Sequence, residues 1–442
     1  MKIVDMRVTP IAMADPPLLS SYGLHAPYAL RTVVELVSED GLTGAAETHG
    51  GDGPLGDLER ARPMVVGRDA FDLSRLWLAV GSQPFGAGMD AAPERGAPGL
   101  PAQTYILPGE GRLDAPLRVF AALEVAALDL IGKSIGIPVC DILGGRTRDE
   151  IPFSGYLFYK RAGGGGSDQD AREDRWGEAL EPTAIVEQAK RMIADYGFGS
   201  IKLKGGVFPP EQEIAAILAL RDALGATVPL RIDPNAAWTA ETAIHVGAAL
   251  AGALEYLEDP TPSLAGMAQV REGLLDAGDA TPLASNTSVT SFADVPGAIR
   301  SGGVQVILSD HHYWGGLRAI TQLGRLCETF GIGLSMHSNS HLGLSLMAMV
   351  HLAAATPNLT YASDTHYPWQ DAADEILVGG RIRFAGGAVS VPTGPGLGVE
   401  LDRDALARGR ARYDRCGYRN RDDEAEMRRH VDPGWRRVVP RW

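Results

Sequence analysis

The sequence predicts an α/β protein in which a (β/α)8-type barrel follows a smaller α+β domain. From about residue 151, short β-type runs alternate with helical patterns, and about seven or eight such units fit into about 230 residues, the size of this barrel. A doubly wound sheet is the alternative, but no G-x-G-x-x-G turn opens any of these helices. The residues before about position 100 mix strand-like and helix-like runs without this alternation.

The N-terminal region predicts a small sheet with helices, an α+β capping domain over residues 1–150. Its strand-like runs are KIVDMRVTPI, RTVVELVSED and LTGAAETHGG, and its helix-like runs are GDLERARPMVV and AFDLSRLWLAV. The segment APLRVFAALEVAALDLIGKSIG then predicts a long amphipathic helix that stops at Gly132 or Gly136.

The barrel is predicted over residues 151–395. Its strand-like runs are GSIKLKGG, PLRIDPN, LEYLEDP, TPLASN, VQVILSD, IGLSMHS and YASDTH, most of them followed by a helical pattern. The polar, glycine-rich stretch at 163–175, GGGGSDQDAREDR, predicts a mobile loop. We expect residues 396–442 to pack back on the capping domain.

Composition and charge restrict the possible partners. The 442 residues carry a formal net charge of −14, which argues against nucleic acid but leaves room for a cationic pocket that binds a small anion. No run of about 18 apolar residues predicts a membrane span, and the N-terminus lacks the apolar region of a signal peptide. The 3 widely spaced cysteines fit a reducing compartment. We therefore expect a cytoplasmic protein.

Polar residues follow the predicted strands with unusual regularity. In a barrel of this type, side chains at the carboxyl ends of the strands point into the active site. A single acid there is usually a helix cap, but lysine and histidine do not cap helix N-termini. The residues of this ring are Lys202, Lys204, Asp233, Asn235, Glu258, Asp259, Asn286, Asp310, His337, Asn339, Asp364 and His366.

Three of these residues predict a metal site. Asp233, Glu258 and Asn286 are separated by about one strand–helix unit each, which places three oxygen ligands on adjacent strands. Hard oxygen donors without cysteine favour Mg²⁺, an ion that keeps open positions for substrate oxygens.

A carboxylate and an imidazole on two further adjacent strands predict an acid/base pair. If Asp310 binds one nitrogen of His337, it orients the ring and leaves the other nitrogen for chemistry. A buried histidine that is merely satisfied by a neighbouring acid is the alternative interpretation.

Lys202 and Lys204 alternate with Ile201 and Leu203, so both ammonium groups project from the same face of one strand. A lysine base must be uncharged near neutral pH, and a neighbouring ammonium and a nearby Mg²⁺ both favour its uncharged form. We expect Lys204 to be the base and Lys202 its electrostatic companion.

Seven motifs, in this order, resemble those of the enolase superfamily and, within it, of the glucarate dehydratase family. They are KLKGG, RIDPNAAW, LEDP, ASN, SDHHYW, MHSNSH and SDTHYPWQ. The resemblance implies an α+β cap over a modified (β/α)7β barrel, Mg²⁺ dependence, dehydration of a hexaric (aldaric) acid and a homo-oligomer.

The same resemblance implies roles for individual residues. Asp233, Glu258 and Asn286 would be the metal ligands, and Lys204 the base of the K-x-K motif, beside Lys202. The second acid/base group would be His337 with Asp310, and Asn339 would lie beside them. The implied substrate contacts are Ser20, His25, Thr104, Tyr156, Asn235, His366 and Arg421.

Two positions depart from the family's pattern. Ser20 stands where the family usually has asparagine upstream of the H-A-P motif, and Ser340 stands where it reads H-S-N-N-H. Ser20 puts one substrate contact, and with it the exact sugar acid, in doubt.

The predicted reaction is proton abstraction α to a carboxylate followed by loss of the β-hydroxyl as water, with D-glucarate and its C5 epimer L-idarate as substrates. Three alternatives remain open at this point. They are a dehydratase or epimerase of another acid sugar (galactarate or a hexonate), a Schiff-base aldolase with a lysine nucleophile, and a non-catalytic paralogue that partners an active dehydratase.

Overall fold

The computed structural model describes residues 1–25, 27–83, 85 and 115–442. Thr104, one of the predicted substrate contacts, lies outside these residues. Among the described residues, no helix combines the length and the apolar character that crossing a bilayer requires.

The N-terminal sheet is antiparallel and has three strands in the order β1-β4-β5. Two short strands, β2 and β3, form a hairpin between β1 and β4 and extend the barrel sheet at β6 instead. The strands of this region are β1 (Ile3–Ala14), β2 (Leu18–Ser20), β3 (Gly23–Leu24), β4 (Tyr28–Ser38) and β5 (Thr43–His49). The helices are α1 (Asp52–Val65), α2 (Leu73–Gly81), α3 (Ala115–Ile135) and α4 (Val139–Ile142).

Helix α3 corrects one prediction and confirms another. It ends at Ile135, and Gly136 follows with a φ of 77°, as the glycine stop predicted. The prediction of an amphipathic helix is wrong, because every residue from Arg118 to Gly132 is buried. The reason is that α3 packs on the sheet strands β4 and β5 on one side and contacts barrel helix α10 (Leu317–Phe330) on another.

Eight strands form the barrel, and seven helices connect them in sequence, which confirms the (β/α)7β architecture. The strands are β6 (Glu150–Lys160), β7 (Ser200–Lys204), β8 (Leu230–Asp233), β9 (Tyr256–Glu258), β10 (Leu283–Ser285), β11 (Val306–Ser309), β12 (Gly333–Met336) and β13 (Ser363–Thr365). The helices are α5 (Pro182–Tyr196), α6 (Pro210–Leu224), α7 (Ala240–Ala249), α8 (Ser263–Asp276), α9 (Val295–Ser301), α10 and α11 (Gly343–Ala355).

Neighbouring barrel strands are parallel, and β13 closes the ring by pairing with β6. Two 3₁₀ turns, rather than an eighth helix, follow β13, and β14 (Ala388–Ser390) pairs antiparallel with the start of β6. Ile201 and Leu203 of β7 are fully buried in the main hydrophobic core. The polar residues that alternate with them therefore face the barrel axis.

Two helices near the C-terminus contact the N-terminal region. Helix α12 (Arg403–Cys416) packs on β1, and α13 (Asp423–His430) packs on β3. The second contact brings the start of α13 to the segment that follows β3.

The glycine-rich loop at 163–175 is anchored, although its composition predicted a mobile loop. Asp174 binds the fully buried ammonium of Lys160 at 2.8 Å. Asp170 accepts hydrogen bonds from Arg412 and Arg415 of α12 at 3.2 and 3.0 Å. The prediction failed because Arg412 and Arg415 lie more than 240 positions from Asp170 in sequence.

Candidate active site

The polar side chains at the strand ends come together at one end of the barrel. They follow from the strand pattern itself, since each lies within the last three residues of its strand or at most three residues beyond its carboxyl end. All of the predicted ligands and both lysines are buried. The ring is thus a closed polar centre inside an apolar wall.

Lys202 is held by carboxylates on two other strands. Its Nζ donates to Glu258 and, at 2.7 Å, to Oδ2 of Asp364. Burial opposes the charge, but Asp364 and Glu258 outweigh burial and hold the pKa of Lys202 well above its usual value. Lys202 is therefore a fixed cation, which fits an electrostatic role rather than that of a base.

Lys204 lies two residues further along the same strand and contacts a different predicted metal ligand. Its Nζ is 2.5 Å from Oδ2 of Asp233 and 5.2 Å from the ring centroid of Tyr156. The sequence predicted a costly pair of like charges on one face. The structure shows that each ammonium has its own carboxylate, which offsets that cost.

The predicted metal ligands leave two oxygens without a partner. Oε1 of Glu258 and Oδ1 of Asn286 are buried and accept no hydrogen bond. A buried unsatisfied acceptor costs about 1–3 kcal/mol, so two of them side by side need an explanation. Burial and the charge of Asp233 also raise the pKa of Glu258 well above its usual value. A divalent cation would satisfy both oxygens and favour the charged carboxylate, so the donor set fits Mg²⁺.

Asp259 positions the third ligand. Its carboxylate lies near those of Asp233 and Glu258, within 4.8 Å. Both of its oxygens are already used, because Oδ1 accepts from Ser285 at 2.6 Å and Oδ2 from the amides of Asn286 and Thr287 at 2.8 and 3.0 Å. It therefore holds the backbone from which Asn286 projects.

The predicted acid/base pair is present. Nδ1 of His337 lies 2.9 Å from Oδ2 of Asp310, which leaves Nε2 of His337 outside this pair. Burial lowers the pKa of His337. Burial raises that of Asp310, but His312 and His337 outweigh it and hold the Asp310 pKa well below its usual value. The pair is thus a neutral imidazole on a carboxylate.

Asn339 links this pair to the capping domain. Its Nδ2 lies 3.3 Å from Oδ2 of Asp310, and its Oδ1 accepts from Arg31 of β4 at 3.1 Å. Arg31 is 2% exposed and also binds Glu47 of β5 at 2.7 Å. The predicted catalytic group therefore extends into the cap.

Asp310, His311 and His312 form a second group that meets the spacing of a metal site. Both oxygens of Asp310 accept hydrogen bonds, and the Arg31 guanidinium lies 3.1 Å from Nε2 of His312. A second cation would face that guanidinium, so the group is not a metal site. His311 and His312 lie in the turn that follows β11.

Two predicted substrate contacts lie together above the barrel. The rings of His25 and His366 stack with centroids 6.1 Å apart. Nδ1 of His25 and Nε2 of His366 are buried without a hydrogen-bond partner. Arg421 binds Asp423, whose carboxylate lies 3.8 Å from Nε2 of His25. The tail thereby reaches the site.

Three other predicted substrate contacts form hydrogen bonds with other residues of the protein. The hydroxyl of Tyr156 lies 3.0 Å from Asp364, and Nδ2 of Asn235 donates to Asp233 at 3.0 Å. The hydroxyl of Ser20 accepts from the amide of Tyr22 at 3.2 Å. Ser340, the second departure from the family pattern, has a buried hydroxyl without a partner.

Sequence reasoning missed the carboxylates that hold the loops of the site. Glu213 of α6 accepts three amide hydrogen bonds from residues 206–208, the loop directly after Lys204, at 2.9, 2.9 and 3.1 Å. Glu124 of α3 accepts from the amides of Leu317 and Arg318 at the start of α10. Burial raises the pKa of each glutamate to about 7. A charged residue within an apolar helix or strand was the available signal.

Known proteins share this architecture and much of this sequence. The profile of the family described as "Enolase C-terminal domain-like" matches residues 184–405. A "Probable glucarate dehydratase" from Streptomyces coelicolor is 46% identical over 100% of this chain and 99% of its own length. The chain belongs to the enolase superfamily.

Solved enolase-superfamily structures agree with the fold over the whole chain. An enolase from Thermobispora bispora, complexed with magnesium and formate, is 50% identical with a TM-score of 0.89 and covers 100% of both chains. An enolase from Pseudomonas fluorescens with bound magnesium, potassium and tartrate is 44% identical with a TM-score of 0.90, and covers 100% of this chain and 99% of its own. The cap and the barrel are thus those of the superfamily.

Proposed function

We propose that this protein is a Mg²⁺-dependent acid-sugar dehydratase that converts D-glucarate, and its C5 epimer L-idarate, to 5-dehydro-4-deoxy-D-glucarate. One observation carries the proposal: the unpartnered oxygens of Glu258 and Asn286 lie on strands between the lysine strand β7 and the dyad strands β11 and β12. This order suits a substrate carboxylate held at the centre, with a base on either side.

Each base has a defined task. Lys204 removes the proton α to a carboxylate from one face, and Nε2 of His337 does so on the epimeric centre from the other face. When Lys204 is the base, His337 must enter the reaction as the imidazolium, and its Nε2–H gives a proton to the β-hydroxyl, which departs as water and leaves the neutral imidazole with its proton on Nδ1. The enol that remains then ketonises. Both steps fall in the range of general acid–base catalysis, about 10²- to 10⁴-fold each.

The electrostatic residues prepare this chemistry. Lys202, kept charged by Glu258 and Asp364, lies beside the position at which negative charge develops. Asp233, Glu258 and Asn286 would hold the Mg²⁺, which when bound stabilises the charge on the substrate carboxylate by several kcal/mol, roughly. The "Probable glucarate dehydratase" relative supports this substrate class.

The test is turnover of a panel of aldaric and aldonic acids before and after treatment with EDTA. We expect D-glucarate and L-idarate to be dehydrated, and we expect the activity to be lost with EDTA and restored by Mg²⁺. Glu258→Gln should abolish the restoration, whereas Glu187→Gln, at a site whose side chain is 71% exposed, should not. Turnover that survives EDTA, or turnover of galactarate or hexonates without turnover of D-glucarate and L-idarate, would contradict the proposal.

A second candidate, dehydration or epimerisation of galactarate or a hexonate, is favoured by Ser20. Its hydroxyl is engaged with the amide of Tyr22, so a contact implied by the resemblance is weakened at this position. A "D-galactarolactone cycloisomerase" from Agrobacterium fabrum, 26% identical over 85% of this chain, shows that related proteins act on other acid sugars. The same panel separates the two candidates.

A further inference from the structure

We propose that Arg31, a residue of the capping domain, is a positioning residue that fixes the tautomer of His312 and the amide orientation of Asn339, and through them the acid/base pair of Asp310 and His337. The catalytic consequence of this inference rests on the proposed function. The assignment of the His312 tautomer does not rest on the proposed function.

The tautomer follows from the chemistry of arginine. A guanidinium has only donors, so Nε2 of His312, 3.1 Å from Arg31, must be the acceptor. The proton of a neutral His312 then lies on Nδ1, which faces Oδ1 of Asp310 at 2.7 Å. The backbone amide of His312 donates to the same oxygen at 2.8 Å. Oδ1 is thereby saturated.

The same guanidinium orients Asn339. It donates to Oδ1 of the amide at 3.1 Å, so Nδ2 must point the other way, towards Oδ2 of Asp310 at 3.3 Å. Nδ1 of His337 is the second donor to this oxygen, at 2.9 Å. With all four donors in place, Asp310 keeps the proton of His337 on Nδ1 and leaves Nε2 basic.

Arg31 is itself fixed by the cap. Glu47 accepts from its Nε at 2.7 Å and also from the amides of Leu342 and Ser345 at the start of α11. Arg31 is on β4 and Glu47 on β5, next to each other in the cap sheet. This ion pair is buried, so its loss would leave an uncompensated charge.

Four other side chains surround the ring of His312. The rings of His49 and His311 lie with centroids at 5.0 and 3.8 Å, and the Ser345 hydroxyl is 3.1 Å from Nε2. A hydroxyl can donate to Nε2 as readily as accept from it, so it is compatible with the tautomer that Arg31 imposes. Tyr313 packs beside the ring at 6.3 Å.

The first measurement is the ¹⁵N spectrum of the imidazoles in the full-length, histidine-labelled protein, with His312→Asn used for assignment. We expect His312 to carry its proton on Nδ1 in the wild type and in Arg31→Lys, which keeps a donor. In Arg31→Met the ratio of the Nδ1–H form of His312 to its Nε2–H form should fall by about tenfold or more. This is the fold-change that corresponds to the loss of one hydrogen bond from a charged donor. An unchanged ratio in a folded Arg31→Met protein would overturn the proposal.

Arg412→Met is the matched control for loss of a buried arginine. Arg412 is 7% exposed and pairs with Asp170 and Asp374 rather than with a histidine. Arg412→Met should lower the free energy of unfolding, as Arg31→Met does, but it should leave the ¹⁵N spectrum of His312 unchanged. A spectrum altered equally by both variants would show a general structural effect and would also overturn the proposal.

The second measurement is exchange of the α-hydrogen of glucarate and idarate with D₂O. Arg31→Met should slow the exchange that depends on His337 by about 100-fold and leave the exchange that depends on Lys204 within about fivefold, and Arg31→Lys should restore most of the loss. Equal losses on both faces contradict a role specific to the pair. If the wild type exchanges neither acid, the proposed function fails, while the spectrum still decides the role of Arg31.

Discussion

The two halves of the strand-end ring are supported from different parts of the molecule. We call the first the lysine half (Lys202, Lys204, Asp233, Glu258 and Asn286) and the second the histidine half (Asp310, His312, His337 and Asn339). In the lysine half the supporting carboxylates, Glu213, Asp259 and Asp364, all belong to the barrel. In the histidine half the supports, Arg31, Glu47 and Glu124, belong to the capping region.

This difference separates two requirements of the chemistry. Among the described residues, the barrel supplies the side chains that hold the predicted oxygen ligands and the predicted base Lys204. The second base depends on how the cap sits on the barrel, because Arg31 bridges β4 to both Asn339 and His312. The predictions below test this division, beginning with the largest effect.

The first prediction separates the two bases. Lys204→Met should reduce α-hydrogen exchange on one face by about 10³-fold, and His337→Asn should do so on the other, because each removes the general base of that face. Exchange of glucarate and idarate with D₂O measures both. Lys190→Met, at a site whose side chain is 52% exposed, is the control for the same loss of charge. A variant that loses both faces equally would contradict the division.

The second prediction concerns the pH dependence of stability in Glu213→Gln and Glu124→Gln. Burial raises each pKa in the folded protein to about 7 from an ordinary value of 4.5. Between these pH values the folded state binds a proton that the unfolded state has lost, so the free energy of unfolding falls as pH rises from about 4.5 to about 7, by on the order of 3 kcal/mol per group.

Each glutamine variant loses its own group's contribution to this slope and keeps that of the other glutamate, so its disadvantage relative to the wild type should shrink as pH rises through that window. Denaturant unfolding at pH 5 and pH 8 measures it. If the pH dependence of the free energy of unfolding becomes shallower in only one of the two variants, the cap and barrel carboxylates are not equivalent supports.

The third prediction uses Mg²⁺ as a ligand of the folded state. At about 100 times its dissociation constant it should raise the free energy of unfolding by about 2.7 kcal/mol. Glu258→Gln should lose this gain, because it removes a ligand charge from the lysine half, whereas His337→Asn should keep it. Thermal unfolding with and without Mg²⁺ is the measurement, and loss of the gain in both variants would show that the halves are not independent.

The fourth prediction concerns the support of a single ligand. Asp259→Asn should weaken Mg²⁺ binding by about 10- to 100-fold, because the amide can no longer accept from both Ser285 and the backbone at Asn286. Asp279→Asn is the matched control, since Asp279 is also buried but accepts from Thr281 instead. Titration of the apo-protein with Mg²⁺ measures the affinity, and equal affinities in the two variants would contradict the role of Asp259.

Local pattern was sufficient to predict much of the fold and the ring. The alternation of Lys202 and Lys204 with Ile201 and Leu203, and the polar residue after each strand, are properties of a few neighbouring residues. The architecture is confirmed by the order of the strands. The site roles remain predictions: the structure brings the strand-end residues together, whereas the described side-chain contact of Ser20 is with Tyr22.

What the sequence did not reveal depends on contacts between distant segments. The bond from Arg31 to His312 joins residues 281 positions apart, and that from Arg31 to Asn339 joins residues 308 apart. The predictions of a mobile loop at 163–175 and of an amphipathic α3 failed for the same reason. Helix α12 binds the loop, and α10 contacts α3, and both lie far away in sequence. Periodicity reports which residues share a face, but not what that face meets.

The Arg31–Glu47 pair has a consequence for recombination between relatives. A chimera that joins the cap of one protein to the barrel of another exchanges the walls of the pocket, but here it would also exchange the support of His337. Under the proposed roles, such a hybrid would take its metal ligands from one parent and the support of its second base from the other. Crossover points should therefore keep Arg31, Glu47 and Asn339 from the same parent, as a unit of inheritance that spans both domains.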